Sequence, residues 1–398
     1  MAVMPGPFRT LWTARIVSFV GDSLSLVALM LHVESTAGQA IALSMLLLAG
    51  DFVPSLLSPL AGAVSDRFDL KRVMITCELV QAGLVALIAF SLPALPLLLV
   101  LVALRAITGQ IFLPASRAAV PALVPDADLP RANSLLGFGT NGAEVAGPLL
   151  AAALVPFTSI RGVLFVDAAS FLLSAVLLSR LGSLPRVPDG ETLVGQAKAG
   201  LRMLWRVPAL RIIALGFCAV VFFNGIDDVA LVKLAKDTFV AGDSAVGLLL
   251  AAVGIGLFSG YLLLARFSPP MAALLIAGFA ISSVGNLLTG LAGAVAFAFA
   301  VQTVRGLGIA GMDVASNTLL QRLVPPAMLG RVFGNLYGAI GIAAAGSYIG
   351  GGFLLDATSP STTFLVSGGL GTLATVVVAL TLPRAVEYHE ELGPLGRS

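Results

Sequence analysis

Apolar runs of about 20 residues, the length of helix that crosses a bilayer core, recur along this chain. They lie near 10–33, 40–64, 72–92, 95–115, 133–155, 161–181, 210–233, 244–264, 270–289, 292–314, 332–354 and 362–382. The pattern predicts twelve membrane helices, six on each side of a polar middle. The apolarity within each run is continuous, whereas a β-barrel shows short alternating segments. In the middle, Pro185, Pro188 and Gly190 break helices. Leu193, Ala197, Leu201, Leu204 and Trp205 then recur at helical spacing opposite Lys198, Arg202 and Arg206. Such a helix either lies at an anionic membrane surface or bridges the halves in solvent, and the interfacial reading fits its cations better.

The two halves echo each other. Leu123-Val124-Pro125, Leu129 and Arg131 return as Leu323-Val324-Pro325, Leu329 and Arg331, and upstream Arg105 returns as Arg305. An even number of spans separates equivalent points, so the repeats are parallel about an axis along the membrane normal. The expected domains are a six-helix bundle over 1–181, a cytoplasmic linker over 182–209, a second bundle over 210–383 and a short tail over 384–398.

Composition agrees: the chain is 58% hydrophobic and 11% charged, with a mean hydropathy of +1.00. Net charge is only +2, so the placement of cations informs more than their number. Of the 23 Lys and Arg, seventeen fall on one side of the predicted spans, counting Arg9, Arg67, Lys71 and Arg72 among them. Arg161, Lys233 and Lys236 fall on the other; Arg15, Arg105 and Arg305 lie within spans. Cations hold loops on the cytoplasmic face, which puts both termini inside and the protein in the cell inner (cytoplasmic) membrane. The first span holds Asp22, exceeds a signal-peptide core and is read as retained. Cys77 and Cys218 lack metal or disulfide spacing, and His32 and His389 are far apart. No P-loop ending appears. No nucleophile–base pair is visible, and the expectation is a protein that is not an enzyme and takes no cofactor.

Charges within spans are costly, about 2.5–3.5 kcal/mol each at the bilayer centre on the lenient insertion scale. Asp22, Asp51, Arg105 and Glu144 lie at similar depth in the first half. Arg15, Ser18, Asp22, Ser25 and His32 form one stripe on the first helix; Ser44, Asp51, Ser55 and Ser58 form another on the second. Asn141 and Glu144 share a face, as do Arg105, Thr108 and Phe112. Burial and a nearby arginine act on a carboxylate in opposite directions. The reading is that Asp22 or Glu144 carries a coupling proton with Arg105 as partner and Asp51 as third choice. The competing reading is a static network that fixes helix register. In the second half, Arg305 and Gln302 share a face, and Asn224 and Asp228 are four apart. Asp227 and Asp228 are placed nearer the outer surface, in a gate or loop. The expected substrate cavity draws on Ser25, Phe112, Asn141, Asn224, Asp228, Gln302, Arg305 and Tyr337.

Between spans two and three stands Gly62-Ala63-Val64-Ser65-Asp66-Arg67-Phe68-Asp69-Leu70-Lys71-Arg72. Physically it is a tight turn in which Gly62 permits close packing and Asp66 can accept hydrogen bonds from a neighbouring helix end. It resembles the G-x-L-A-D-R-x-G-R-K signature of the major facilitator superfamily, with Asp69 where the family favours glycine. The counterpart Gly260–Phe267 has Ala265 where an aspartate would fall. Arg105-Ala106-Ile107-Thr108-Gly109 is similar to the family's R-x-x-Q-G, and Gly147-Pro148 to its antiporter motif. Phe165–Phe171 and Gly200–Arg206 resemble the macrolide and enterobactin exporters of that superfamily. The resemblance implies a proton-coupled secondary active exporter of small amphipathic compounds such as drugs, macrolides or siderophores, working by alternating access. Gly62, Asp66, Arg67, Lys71 and Arg72 would form its conformational latch. Its partners would be a small-molecule substrate, protons and membrane lipid, with no nucleic acid, in a monomer driven by the proton gradient. Proton-linked nutrient uptake and lipid or lysolipid transport are the alternatives on the same fold.

Overall fold

The computed structural model describes residues 4–37, 40–154, 157–185, 192–240 and 243–391. Among them the regular structure is entirely helical. The first half folds as α1 (Gly6–Ala37), α2 (Ala40–Arg67), α3 (Leu70–Ser91), α4 (Leu95–Leu123), α5 (Leu129–Leu154) and α6 (Ile160–Ser179). After the linker helix α7 (Leu193–Arg206) come α8 (Pro208–Asn224), α9 (Asp227–Lys233) and a π-helical turn Leu234–Thr238. Then follow α10 (Asp243–Leu264), α11 (Met271–Gly290), α12 (Val295–Leu323), α13 (Leu329–Ala357) and α14 (Pro360–Glu391). Taking α8, α9 and the π turn as one interrupted span gives twelve membrane helices, six before α7 and six after. Nine helical segments among the described residues are long and apolar enough to cross a membrane on composition alone.

Local chemistry explains where these helices stop. The repeated Leu-Val-Pro ends α4 and α12 alike, because a residue before proline is pushed out of the helical region. Val124 (φ −137°, ψ 152°) and Val324 (φ −102°, ψ 130°) are both extended. Both helices therefore run beyond the apolar spans read from hydropathy, carrying Ser116-Arg117 and Gln321-Arg322 on their last turns.

The chain divides into two compact units. The first comprises Met1–Asp126, Gly139–Leu201 and Pro326–Gly338; the second comprises Ala127–Phe138, Arg202–Pro325 and Ala339–Ser398. The division cuts through α5, α7 and α13 instead of following the 1–181 and 210–383 halves. The first unit includes the opening turns of α13, and the second those of α5. In the first unit, Leu29, Leu46, Val85, Ile88, Leu98, Leu164 and Phe171 form an apolar core. In the second, Leu231, Leu234, Leu249, Leu355 and Phe364 do the same. Leu87, Phe90, Leu172 and Val176 in one unit, and Leu373, Val377 and Leu380 in the other, stay exposed, as lipid-facing positions should.

The linker helix departs from a simple two-faced reading. Gln196, Ala197 and Leu204 are buried, and Asn335 on α13 donates to the Ala197 carbonyl at 3.0 Å. Leu201 and Trp205, predicted on the same apolar face as Ala197, are exposed. Gly200 makes the packing against α13 possible, since a Cβ there would lie 2.8 Å from the Arg331 carbonyl oxygen.

Asp69, the departure from the family pattern, has a structural task. It caps α3 by accepting from the Arg72 N–H at 3.0 Å, and accepts from the Ser183 hydroxyl at 2.7 Å and the Leu184 N–H at 2.9 Å. Burial pushes its carboxyl up, but the Ser183 hydroxyl, the Arg72 and Leu184 N–H groups and the Arg72 charge outweigh that. They hold it below its ordinary 3.8. A depressed carboxyl stabilises the fold above its unfolded pKa and ceases to as pH falls through the folded one. Amide protection in the first turn of α3 should therefore drop on acidification below about pH 4. In Asp69→Ala, hydrogen exchange should show that protection already lost at neutral pH. Equal protection in the two proteins at neutral pH would refute the cap's contribution.

Candidate functional site

The polar side chains of the first unit gather around a cavity of about 450 Å³. α1 contributes Ser18, Phe19 and Asp22, α3 contributes Glu78 and Gln81, α4 contributes Arg105, Gln110 and Phe112, and α6 contributes Phe171. Asp22 and Arg105 form an ion pair, their side chains 33% and 11% exposed. Arg15, on the same stripe of α1, is buried; it donates to the Ser116 hydroxyl at 3.1 Å and sits over the Phe19 ring.

Two acids absent from the sequence-based candidates belong to this interior. Glu78 is buried on α3 and accepts from the Ser174 hydroxyl of α6 at 2.9 Å. Asp167 is buried on α6, faces Arg105 and accepts from Ser170 at 3.3 Å. Gly21 makes room for Asp167 and Ser170: a Cβ there would lie 2.9 Å from the Ser170 Cβ. Thus Asp22, Glu78 and Asp167 face Arg15 and Arg105, three carboxyls to two guanidiniums among the described side chains. The side chains of Asp51, Glu144, Ser44 and Ser55, and the Gly147-Pro148 pair, lie outside those described.

The eight residues expected to form one substrate cavity divide. Phe112 lines the cavity of the first unit. Ser25 does not, because it is buried with its hydroxyl on the Asp22 carbonyl at 3.1 Å. Asn141 is half-buried on α5, and Tyr337 stacks on Phe333 at 6.0 Å in the opening turns of α13.

Asn224, Gln302 and Arg305 belong to the second unit, where they are packed against one another's neighbours instead of lining open space. Arg305 pairs with Asp227 and donates to the Gln302 side-chain carbonyl at 3.1 Å. Gln302 donates to Thr289 at 3.0 Å; Asn224 donates to Ser283 at 3.1 Å and accepts from Asn286 at 3.0 Å. This corrects the placing of the Asp227-Asp228 pair in a surface gate. Asp227 is buried against the midspan arginine, and only Asp228 is exposed. The break at Asn224-Gly225-Ile226 starts α9 afresh and brings Asp227 to α12. A helix interrupted within a membrane is a common feature of transporter binding regions.

The five expected latch residues also separate. Asp66 accepts from the backbone N–H groups of Gly330 and Arg331, both at 2.8 Å, and from Arg331 Nε at 3.2 Å. These are among the first N–H groups of α13, which lack acceptors within their own helix and carry its positive dipole end. Gly62 lets α2 and α13 touch, its own Cα being 2.9 Å from where a Cβ on Gly334 would lie. Arg67, Lys71 and Arg72 stand elsewhere. Arg67 lies over the Phe68 ring, Lys71 donates to the Leu181 carbonyl at 2.6 Å, and the Arg72 side chain is exposed.

The second unit carries the repeat of this contact without its charge. Ala265 has no carboxylate at the position of Asp66, and Pro130 has no N–H where Gly330 donates one. Instead Ser134 donates to the Tyr261 carbonyl, and Asn133 donates to Thr318 at 3.1 Å and Gln321 at 2.6 Å. The losses on the two sides of the repeated contact match: acceptor and donor are missing together.

Among the described residues no group of three or more His, Cys, Asp or Glu side chains is arranged to hold a metal ion.

The sequence model of the Major Facilitator Superfamily matches residues 11–269 and 229–397. Macrolide efflux protein A of Streptococcus pyogenes is 24% identical, over 96% of this chain and 96% of its own. Multidrug efflux pump Tap of Mycolicibacterium fortuitum is 26% identical, over 96% of this chain and 97% of its own. Among solved structures, the human organic anion transporter MFSD10 (TETRAN) superposes with a TM-score of 0.80 at 18% identity, covering 93% of this chain and 98% of its own. The chain is a multi-pass membrane transporter and belongs to the Major Facilitator Superfamily.

Proposed function

We propose that the protein is a proton-coupled exporter of small amphipathic compounds, working by alternating access in the inner membrane with both termini cytoplasmic. The observation that carries this reading is the interior of the first unit. Its cavity has apolar and aromatic walls with a few polar groups, the usual character of a small-molecule site. Around it, among the described side chains, stand three carboxyls and two guanidiniums. An unpaired ionised carboxylate in such surroundings is very costly, and the ordinary escape is to bind a proton. A proton held beside a substrate cavity is what coupling requires. The efflux relatives favour export as the direction, and the likeness of Gly147-Pro148 to the antiporter motif favours exchange. No cofactor is needed, and the protein works as a monomer.

Everted membrane vesicles with an imposed pH gradient test the reading. Adding a macrolide or a cationic dye should move protons across the membrane and concentrate the compound inside the vesicles. Asp22→Asn, which takes the charge partner from Arg105 at the cavity wall, should slow that proton movement. Compound leaving the vesicles with protons would indicate uptake. No proton movement with any of a panel of dyes, macrolides and siderophores would refute proton-coupled drug export.

A second reading has one observation in its favour. Between α11 and α12 runs a groove of about 490 Å³ lined by apolar residues alone, including Ile281, Val284, Leu288, Val301 and Val304. A groove of this character suits an acyl chain, so lipid or lysolipid transport predicts translocation of labelled lysolipid in the same vesicles.

A further inference from the structure

Among the described side chains the interior of the first unit has three acids, and their surroundings differ in a way that singles one out. Asp22 reaches the cavity wall but is tied to Arg105. Asp167 also faces Arg105 and lies off the cavity wall, fully buried. Glu78 is on the wall, yet only 1% of its surface is exposed, and it forms no ion pair among the described residues. Its partners are hydroxyls: Ser174 of α6 at 2.9 Å, and Ser18 of α1. The charged groups facing it are Arg15 from α1 and Asp167 from α6, with Arg105 of α4 and Asp22 beyond them. A wall position gives a proton a route, and burial with no ion pair among the described residues gives it a reason to bind.

We propose that Glu78 is the exchangeable-proton site of this transporter, with the Asp22–Arg105 pair remaining ionised beside it. This rests on the proton-coupled reading above and names the group that does the coupling. Protonation forms one O–H bond on the Glu78 carboxyl; release breaks it, leaves the electron pair on the carboxylate and passes the proton to water. Ser174 and Ser18 suit both forms, since a hydroxyl donates to a carboxylate and can turn to accept from a carboxylic acid. Gln81, one turn further along α3, lines the same cavity.

The test is infrared difference spectroscopy of the purified full chain in liposomes, between about pH 6 and about pH 9. The carbonyl stretch of a protonated carboxyl should appear on the acid side in the wild-type protein and persist in Asp22→Asn. It should be lost in Glu78→Gln, whose near-equal shape preserves packing, and return in Glu78→Asp. Ser174→Ala should displace the band's midpoint without removing it. A band that titrates unchanged in Glu78→Gln would overturn the proposal. The two readings fail separately. If the Glu78 band is present but vesicles move no protons, the coupled-transport reading falls and the proton site stands. If vesicles move protons but the band is not Glu78's, the site assignment falls alone.

Discussion

Asp66→Ala should lower the transport rate by at least about tenfold while leaving the substrate concentration for half-maximal rate nearly unchanged. The carboxylate accepts at least three hydrogen bonds, two from the buried N–H groups at the dipole end of α13 and one from the Arg331 side chain. Hydrogen bonds to a charged group contribute about 1.5–3 kcal/mol each, and losing the acceptor leaves buried donors behind. A loss of only about 3 kcal/mol shifts a two-state population by about a hundredfold. In an alternating cycle this weakens one state and slows passage through it. Asp66 is not part of the cavity wall, so binding should be spared. Asp66→Asn, which keeps one carbonyl acceptor, should fall between wild type and alanine. The repeat supplies an internal control. Ala265→Asp should rescue nothing, because Pro130 offers no N–H in place of Gly330. Transport assays in vesicles decide the matter, and an alanine variant with the wild-type rate would remove Asp66 from the cycle.

Asp227→Ala should destabilise the purified protein by about 3–5 kcal/mol, a large drop in thermal midpoint for any membrane bundle. The partner Arg305 has a side chain only 5% exposed, and Asp227 is 10% exposed. With Asp227 gone, Gln302 is left as the guanidinium's hydrogen-bond partner at 3.1 Å. Much of the cost is the penalty of leaving that charge buried, not the worth of the pair. Removing both charges in Asp227→Leu with Arg305→Met should therefore recover most of the lost midpoint. That recovery separates charge burial from packing, because the double variant loses the same contacts as the single ones. A double variant as unstable as Asp227→Ala would show that shape, not charge, is what the pair provides.

Hydropathy alone reveals the twelve spans, because continuous apolarity at bilayer length is what a helix in lipid requires and what a water-facing helix cannot tolerate. The Leu-Val-Pro echo also locates two helix ends, since proline acts on the residue before it whatever the tertiary setting. Asp66 was within reach for a similar reason: a short acid at a glycine-bearing turn has few partners other than a helix end. Its actual partners, Gly330 and Arg331, are more than 260 residues away in sequence, and no local pattern announces them. The acids fared worse. Choosing charges ten to twelve residues into a span passes over Glu78 in the run 72–92 and Asp167 in the run 161–181. Both stand six residues in. A charge anywhere inside an apolar run marks such a site, whatever its depth. Their burial depends on α3, α6 and α1 packing together, with Gly21 admitting Asp167, which is a tertiary fact. Asp227 lies far along the run 210–233 yet is buried, because Asn224-Gly225-Ile226 interrupts the helix and the new helix brings it to Arg305.

The charged interior of the first unit should exchange a proton against its substrate. Proton release on binding tests it most directly, using purified protein in weakly buffered detergent with a pH-sensitive dye and erythromycin as the added ligand. About one proton should be released per ligand bound, since the described side chains set three carboxyls against two guanidiniums, and none from Glu78→Gln although the ligand still binds. Saturable erythromycin binding by the wild-type protein with no change in dye signal would contradict it.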